Sequence, residues 1–386
     1  MNAPSFDDLI GRSRLLITAG SGGVGKTTIA AAMGVRGALQ GRRVAVLTID
    51  PARRLANALG LSALTGELRR VEPSHFAAVG LDAPGELWAM MLDIKTTGDQ
   101  MVRRFAPDAA SARAILENQY YQYFSTSLAG SQEYMAVEQV RMLVEEGGFD
   151  LVVLDTPPAT HALDFLDAPD RLLEGLESRP MQMLRRGEGE GLAARLARGG
   201  RGLVLRGINK LTCGPFLEEL TVFLSTFGTI LDALRDASLA VRALLRRPAT
   251  RFFLVTTPSR GNVDEAVRFR AQLAERGFPL GGFIVNRVHR PLAPVDGDEV
   301  TLAELTEALA PALPDVPAER RRALVMALRS GLLDHERMAV RDAQAVSTLA
   351  DVAGANPWTI PLFAHDVRDL RGLDRVAQAL ISSPLR

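Results

Sequence analysis

The chain has 386 residues, of which 47% are hydrophobic, so it is long enough to bury one large α/β core or two smaller ones. Its 45 basic and 45 acidic side chains balance, which removes any global electrostatic basis for binding nucleic acid or an anionic membrane. The only cysteine, Cys213, excludes an internal disulfide and a multi-cysteine metal site built by one subunit.

Seven short apolar runs are predicted to be β-strands. In chain order they are Arg14–Gly20, Arg42–Asp50, His75–Asp82, Phe149–Pro157, Thr250–Pro258, Leu280–Val288 and Trp358–Phe363. Most are continuously apolar rather than alternating, which is typical of strands buried on both faces of a parallel sheet. Helical patterns lie between them, so we predict an α/β fold with a mainly parallel, twisted sheet of about seven strands flanked by helices. Such sheets bind ligands at the carboxyl ends of their strands.

Two longer stretches, at about 86–146 and 163–247, lack strand character and are predicted to be helical inserts that form a cap or subdomain on a single domain spanning 1–386. In the second insert, apolar residues recur at three- and four-residue steps, which predicts a helix with an apolar face. These residues are Leu217, Leu220, Leu224, Phe227, Leu231 and Leu234. The face either packs within the protein or forms a hydrophobic groove for a partner.

The sequence shows neither a signal-peptide core at its N-terminus nor an apolar run approaching the roughly 20 residues that span a bilayer. We therefore expect a cytoplasmic protein.

The segment GSGGVGKTT, from Gly20 to Thr28, matches the phosphate-loop pattern G-x-x-x-x-G-K-[ST]. An apolar strand precedes it and a helix-prone run follows, which is the context that the pattern requires. Backbone N–H groups of the loop and of the following helix bind phosphate oxygens, and the glycines let the chain curl closely around an anion. The residues predicted to bind the nucleotide here are Gly22, Gly23, Val24, Gly25, Lys26, Thr27 and Thr28. Lys26 is expected to reach the β- and γ-phosphates, and the Thr27 hydroxyl is expected to hold Mg²⁺.

Aspartates close two other predicted strands. Asp50 ends the second strand, and Asp155 ends LVVLD. A carboxylate at the tip of a strand beside the phosphate loop is suited to the coordination sphere of Mg²⁺, often through water, so both are candidate metal residues. Asp155 fits this role, and Asp50 would then orient or deprotonate the attacking water. The alternative for either residue is a helix N-cap or a turn.

With these residues in place, the sequence resembles the ArsA family of ATPases, which includes arsenite pumps and ATPases that target tail-anchored proteins. The family's loop GKGGVGKTT is similar to GSGGVGKTT, and its first switch, DPAHSL, is similar to Asp50–Leu55. Its second switch, DTAPTGHTLR, is similar to Asp155–Asp164, and its motif PE-x-x-S-x-x-E-x-x-R resembles Pro258–Arg268. Its adenine-binding VVNQ and a later PLL resemble Val285–Arg287 and Pro361–Phe363.

The resemblance implies a Mg²⁺-dependent ATP hydrolase that works as a dimer with an unidentified protein or transport client. It implies that Asp50 activates water, that Asp155 is linked to Mg²⁺, and that Asn286 reads adenine. Pro361 and Phe363 would pack on the base. A positioning or partitioning ATPase similar to MinD, or a slowly hydrolysing, nucleotide-switched targeting factor, is the alternative.

The sequence departs from this family at the second position of the loop. There the family has a lysine that reaches the phosphates of the opposite subunit, whereas this chain has Ser21. In the second switch, Thr160 and Asp164 replace a glycine and an arginine. The family's CxxC zinc clasp and its arsenite-binding cysteines are also missing, so a zinc-bridged targeting dimer and arsenite pumping are not expected.

Two hypotheses supply the missing cation. A paralogous subunit could provide the lysine in a heterodimer, or Arg53 and Arg54, next to the first switch, could reach the γ-phosphate. The alternative for the two arginines is a solvated helix face. The sequence does not identify the client, nor does it distinguish a homodimer from a heterodimer.

Overall fold

The structure, a computed structural model, describes residues 4–49, 53–118, 121–122, 131–177, 230–292, 302–314 and 316–383. The predictions for Asp50, Cys213 and most of the apolar face at Leu217–Leu234 lie outside these residues.

An eight-stranded sheet forms the centre of the described chain. Its strands are β1 (Leu15–Ala19), β2 (Arg43–Thr48), β3 (Arg69–Arg70), β4 (Glu86–Met91), β5 (Leu151–Asp155), β6 (Thr250–Thr256), β7 (Leu280–Val288) and β8 (Trp358–Pro361). Their order across the sheet is β3-β4-β2-β5-β1-β6-β7-β8. Every pair is parallel except β3 with β4, which is antiparallel. This confirms the predicted α/β class and the mainly parallel sheet.

Thirteen helices in the described residues surround the sheet. They are α1 (Phe6–Arg12), α2 (Lys26–Leu39), α3 (Arg53–Ala58), α4 (Pro73–Ala78), α5 (Ile94–Phe105), α6 (Ala109–Glu117), α7 (Ser131–Glu145), α8 (Ala159–Leu176), α9 (Leu231–Arg246), α10 (Arg260–Glu275), α11 (Leu302–Leu309), α12 (Ala318–Ala353) and α13 (Leu370–Ile381). No helix in these ranges combines the length and the apolar character needed to cross a membrane.

Continuous apolar strands give the sheet a core on each face. Two successive residues of β1 illustrate this. Leu16 belongs to the core on one face of the sheet and Ile17 to the core on the other, and both are fully buried. Helix α2 lies on the first side and approaches the sheet closely. A Cβ at Gly34 would lie 2.4 Å from the Val46 side chain, so the absence of a side chain permits this approach. The close approach fixes the helix that follows the phosphate loop.

Two predicted features are wrong. The run His75–Asp82, predicted to be a strand, instead begins within α4 (Pro73–Ala78), a helix with Pro73 in its first turn. Proline is favoured in the first turn because an N–H group there has no acceptor within the helix, so its absence costs no hydrogen bond. The first insert does not begin at 86, because β4 occupies Glu86–Met91 and pairs with β2 over six residues. Beyond β4, helices α5, α6 and α7 form the described part of that insert.

Most of the described residues of the second insert are helical. It comprises most of α8, which begins at Ala159, and α9, which ends at Arg246. Of the six residues of its predicted apolar face, Leu234 is the one whose side chain is described, and it is 4% exposed, so it packs within the protein.

Candidate nucleotide site

The phosphate loop connects the carboxyl end of β1 to α2, as the sequence predicts. Gly20 has φ 151°, and a Cβ there would lie 2.0 Å from the Val255 carbonyl oxygen of β6. Gly25, the residue before α2, has φ 100°, and a Cβ there would meet the Asn286 amide at 2.4 Å. Both positions therefore require glycine, because other residues rarely adopt these angles and would also clash.

The Lys26 ammonium lies against the loop. Its Nζ donates to the Gly20 carbonyl at 3.0 Å and to the Ser21 carbonyl at 2.9 Å, and the residue is 7% exposed. These carbonyls hold a buried positive charge beside the N-terminus of α2, whose free N–H groups also favour an anion.

Asp155, the last residue of β5, connects two threonines. Its Oδ2 accepts from Thr27 Oγ1 at 2.5 Å and from Thr48 Oγ1 at 3.1 Å. Asp155 and Thr48 are buried, because β5 and β2 are neighbours in the sheet. The predicted Mg²⁺ residues Thr27 and Asp155 are thus brought together.

Asn286, in the last part of β7, reaches the loop from the other side. Its Nδ2 donates to the Val24 carbonyl at 2.8 Å, which ties the loop to β7. Arg287 follows with φ 62°, a positive angle in a residue other than glycine, at a register shift between β7 and β8. This local distortion turns the Arg287 side chain to solvent beside Asn286.

The phosphate loop, Asn286 and the segment Pro361–Phe363 surround a cavity of about 920 Å³, which is within the usual size of pockets for small-molecule ligands and cofactors. Asp155 does not line this cavity; it lies behind Thr27, which does. The predicted site residues among the cavity lining are Gly22, Gly23, Gly25, Lys26, Thr27, Thr28, Asn286, Pro361 and Phe363. Phe363 is supported by Arg375 of α13, whose guanidinium carbon lies 4.9 Å from the ring centroid. Val24 does not line the cavity with its side chain, which is 1% exposed and belongs to the core. Its backbone still lies in the loop.

Ser21 points away from solvent and toward α10. Its Oγ donates to Glu265 Oε2 at 2.7 Å, and the residue is 8% exposed. The position at which the resembling family has its lysine therefore has a partner within this chain.

Some predicted residues are not brought to the site by the described structure. Asp50 lies outside the described residues, and of Arg53 and Arg54 only the backbone, at the start of α3, is described. Asp164 of the second switch forms an ion pair with Arg171 at 2.5 Å on α8. The roles of Asp50 and of the two arginines therefore stay predictions.

Several residues of the site were not predicted. Thr48 was detectable as a polar residue at the end of an apolar strand, next to the first switch. Arg287 also lines the cavity; it lies in the stretch that resembles the family's adenine-binding motif, but no role was predicted for it. The segment His365–Arg368 lines the cavity too, and no sequence pattern marked it. Glu265 belongs to a motif that the resemblance covers, yet its partner Ser21 is 244 residues away in sequence.

The donor set fits magnesium in a phosphate site rather than a metal cage. The described residues contain no group of three or more His, Cys, Asp or Glu side chains that could hold a metal ion. Mg²⁺ that is bound with a nucleotide needs few protein ligands, because phosphates and water fill most of its coordination sphere. One hydroxyl, Thr27, backed by one carboxylate, Asp155, satisfies that requirement.

Comparison with known proteins finds relatives that are named as ATPases. The chain is 25% identical over 334 residues to an ATPase ASNA1 homolog of Cryptosporidium parvum, a match that covers 83% of this chain and 78% of that protein. It is 25% identical over 316 residues to ATPase GET3B of Arabidopsis thaliana, covering 74% and 67%. It is also 25% identical over 299 residues to ATPase get3 of Aspergillus terreus, covering 77% and 79%.

The family model described as anion-transporting ATPase matches residues 13–291, which include the phosphate loop, Asp155 and Asn286. This match confirms the resemblance to the ArsA family and, with the geometry above, the assignment to phosphate-loop ATPases. The chain belongs to the anion-transporting ATPase family.

Proposed function

We propose that this protein hydrolyses ATP in the presence of Mg²⁺ at the cavity between the phosphate loop and β7. The convergence of Lys26, Thr27 and Asp155 at the carboxyl ends of β1 and β5 carries this proposal. Loop N–H groups and the Lys26 ammonium bind the β- and γ-phosphates. Thr27 and Asp155 are the residues that would hold Mg²⁺, which would supply positive charge beside the same phosphates.

In the hydrolysis step, the oxygen of a water attacks the γ-phosphorus in line as the bond to the β-γ bridging oxygen breaks. The products are ADP and inorganic phosphate, and the proton leaves the attacking water for a base. We propose Asp50 as the residue that orients this water and receives or relays the proton. The gain in rate comes mainly from positioning and from fixed positive charge near the γ-phosphate.

The adenine base of ATP would lie between Asn286 and the segment Pro361–Phe363. Since Asn286 Nδ2 donates to Val24, its Oδ1 is suited to accept a hydrogen bond from the adenine amino group. The Phe363 ring, held by Arg375, provides an apolar surface for the base. This arrangement supports the adenine-binding role proposed for Asn286, Pro361 and Phe363.

We further propose that hydrolysis opens and closes a dimer, made of two copies or with a paralogous subunit, and so acts on a protein or transport client. The family membership supports this coupling. A positioning ATPase that binds a membrane through α13 is less well supported, because the apolar face of this helix packs against α2. Its buried residues are Leu370, Leu373, Val376, Ala377 and Leu380.

Phosphate release from ATP by the full chain, with Mg²⁺ and with excess EDTA, tests the proposed activity. We expect Mg²⁺-dependent turnover that Lys26→Ala abolishes. The chain contains only two other lysines, and Lys95, an exposed residue paired with Asp99 on α5, provides the matched control Lys95→Ala, which should retain turnover. Turnover by the wild type in EDTA, or undiminished turnover by Lys26→Ala, would contradict the proposal.

A further inference from the structure

The contact between Ser21 and Glu265 joins the phosphate loop to a helix that follows a different strand. Ser21 lies in the loop that follows β1, and Glu265 lies in the second turn of α10, which follows β6. Since β1 and β6 are neighbours, their carboxyl ends place the two residues side by side. The neighbours Val263 and Ala266, both 5% exposed, pack α10 onto the core and so fix the Glu265 backbone.

This contact continues to the lysine of the loop. The Ser21 hydroxyl donates to Glu265 at 2.7 Å, and the Ser21 carbonyl accepts from Lys26 Nζ at 2.9 Å. A carboxylate acceptor makes a stronger hydrogen bond than a neutral one, so it favours one rotamer of Ser21 and one orientation of its peptide group. One of the two carbonyls that accept from Lys26 is therefore positioned by a residue of α10.

We propose that Glu265 is a positioning residue for the phosphate loop, acting through Ser21 on Lys26 within one subunit. The inference rests on the proposed ATP hydrolysis. It assigns Ser21 a role of its own. The lysine that the family has at this loop position reaches the opposite subunit, whereas Ser21 contacts α10 of its own subunit. Glu265 itself does not touch the reacting atoms; it fixes the loop that does.

The test is a double-mutant cycle on kcat/KM for ATP, with Ser21→Ala, Glu265→Ala and the double variant. Each single change should lower kcat/KM about tenfold, since either one removes the same charge-assisted hydrogen bond. The double variant should lose about tenfold as well, not the product of the two losses. Glu265→Gln should stay within about threefold of the wild type, because its amide oxygen still accepts from Ser21.

The control is Asp264→Ala, an exposed carboxylate one position earlier on α10, which should leave kcat/KM unchanged. Unchanged kcat/KM in Glu265→Ala, losses that multiply in the double variant, or no recovery in Glu265→Gln would each overturn the inference. If the wild type itself shows no Mg²⁺-dependent turnover, the proposed function fails. If the wild type turns over normally and only the cycle gives these contrary results, the positioning role alone fails.

Discussion

The Thr27 hydroxyl donates to Asp155 Oδ2 across 2.5 Å, and Thr48 donates to the same oxygen across 3.1 Å. The first residue pair joins the start of α2 to the tip of β5, and the second joins the tips of β2 and β5. Asp155 thereby fixes the rotamer of the hydroxyl that is proposed to bind Mg²⁺. Removing a residue that orients a metal ligand in this way typically costs about 10- to 100-fold in metal affinity or activity.

Replacing Thr27 with valine should lower kcat/KM for ATP about 100-fold, because it removes the hydroxyl but keeps the shape of the side chain. Thr27→Ser keeps the hydroxyl and should stay within about tenfold of the wild type, with a small loss because serine is less restricted at χ1. Phosphate release over a Mg²⁺ titration measures both. Equal activity of the valine and serine variants would show that the hydroxyl has no part in turnover.

Replacing Gly20 with alanine should destabilise the protein by about 3 kcal/mol, because the new Cβ would overlap the Val255 carbonyl and the backbone angle would be strained. The matched control is Gly261→Ala on α10, where the added Cβ would have no heavy atom within 4 Å other than its chain neighbours and the local helix backbone. It should shift the free energy of unfolding by no more than about 1 kcal/mol, in the stabilising direction. Urea unfolding of both variants measures this difference, and equal stability would contradict the prediction.

Most of the sheet could be predicted from the sequence, because β1, β2, β5, β6 and β7 are continuous apolar runs buried on both faces. The segment ELWAMM at Glu86–Met91 could not, since leucine, alanine and methionine favour helices. It becomes a strand because the edge of β2 is available for six residues of parallel pairing that buries Leu87, Ala89 and Met90. Tertiary pairing overrides local preference here.

The site residues also divide into those that could be predicted from the sequence and those that could not. The loop pattern and the strand-end aspartate predicted Lys26, Thr27 and Asp155, because their roles follow from short motifs at strand ends. The contact of Ser21 with Glu265 depends on which strands are neighbours, and a single sequence does not state that order. Short sequence motifs therefore do not predict contacts between residues that are this far apart in the chain.

Asp342, a buried residue of α12, should make stability depend on pH. Burial raises the pKa of its carboxyl group, but hydrogen bonds from the His289 backbone N–H, the His289 ring and Arg341 outweigh that effect and lower the pKa overall. A carboxyl group whose pKa is lower in the folded than in the unfolded protein stabilises the fold. This stabilisation is fully present above the unfolded-state pKa and is lost as pH falls through the folded-state pKa. The unfolded value is about 3.9.

At pH 7, Asp342→Asn should therefore cost about 2 kcal/mol, and its stability difference from the wild type should narrow below about pH 4. Urea unfolding at a series of pH values measures the difference. The control is Asp334→Asn on the same helix, whose exposed pair with Arg337 should contribute less than about 1 kcal/mol at any pH. A difference for Asp342→Asn that stayed constant down to pH 3 would rule out the carboxylate as its source.

Arg141 and Glu138 form an ion pair inside α7 that should be costly to break from one side. The Arg141 guanidinium donates to both Glu138 oxygens, at 2.6 and 2.9 Å, and to Glu145 at 2.9 Å. Glu138 is 0% exposed and Arg141 6%. Arg141→Met should lower the free energy of unfolding by about 3 kcal/mol or more, because it leaves the Glu138 carboxylate buried without its cation.

Removing both charges should cost much less. Since two buried ions give up most of their mutual attraction to desolvation, the double variant Glu138→Leu with Arg141→Met should recover most of the stability lost in Arg141→Met alone. The exposed pair of Arg104 with Glu146, tested by Arg104→Met, should cost less than about 1 kcal/mol. Urea unfolding of all three variants tests the argument. A double variant as unstable as Arg141→Met would contradict this expectation. It would show that the contacts of the ion pair stabilise α7 by more than the free-energy cost of burying the two charges.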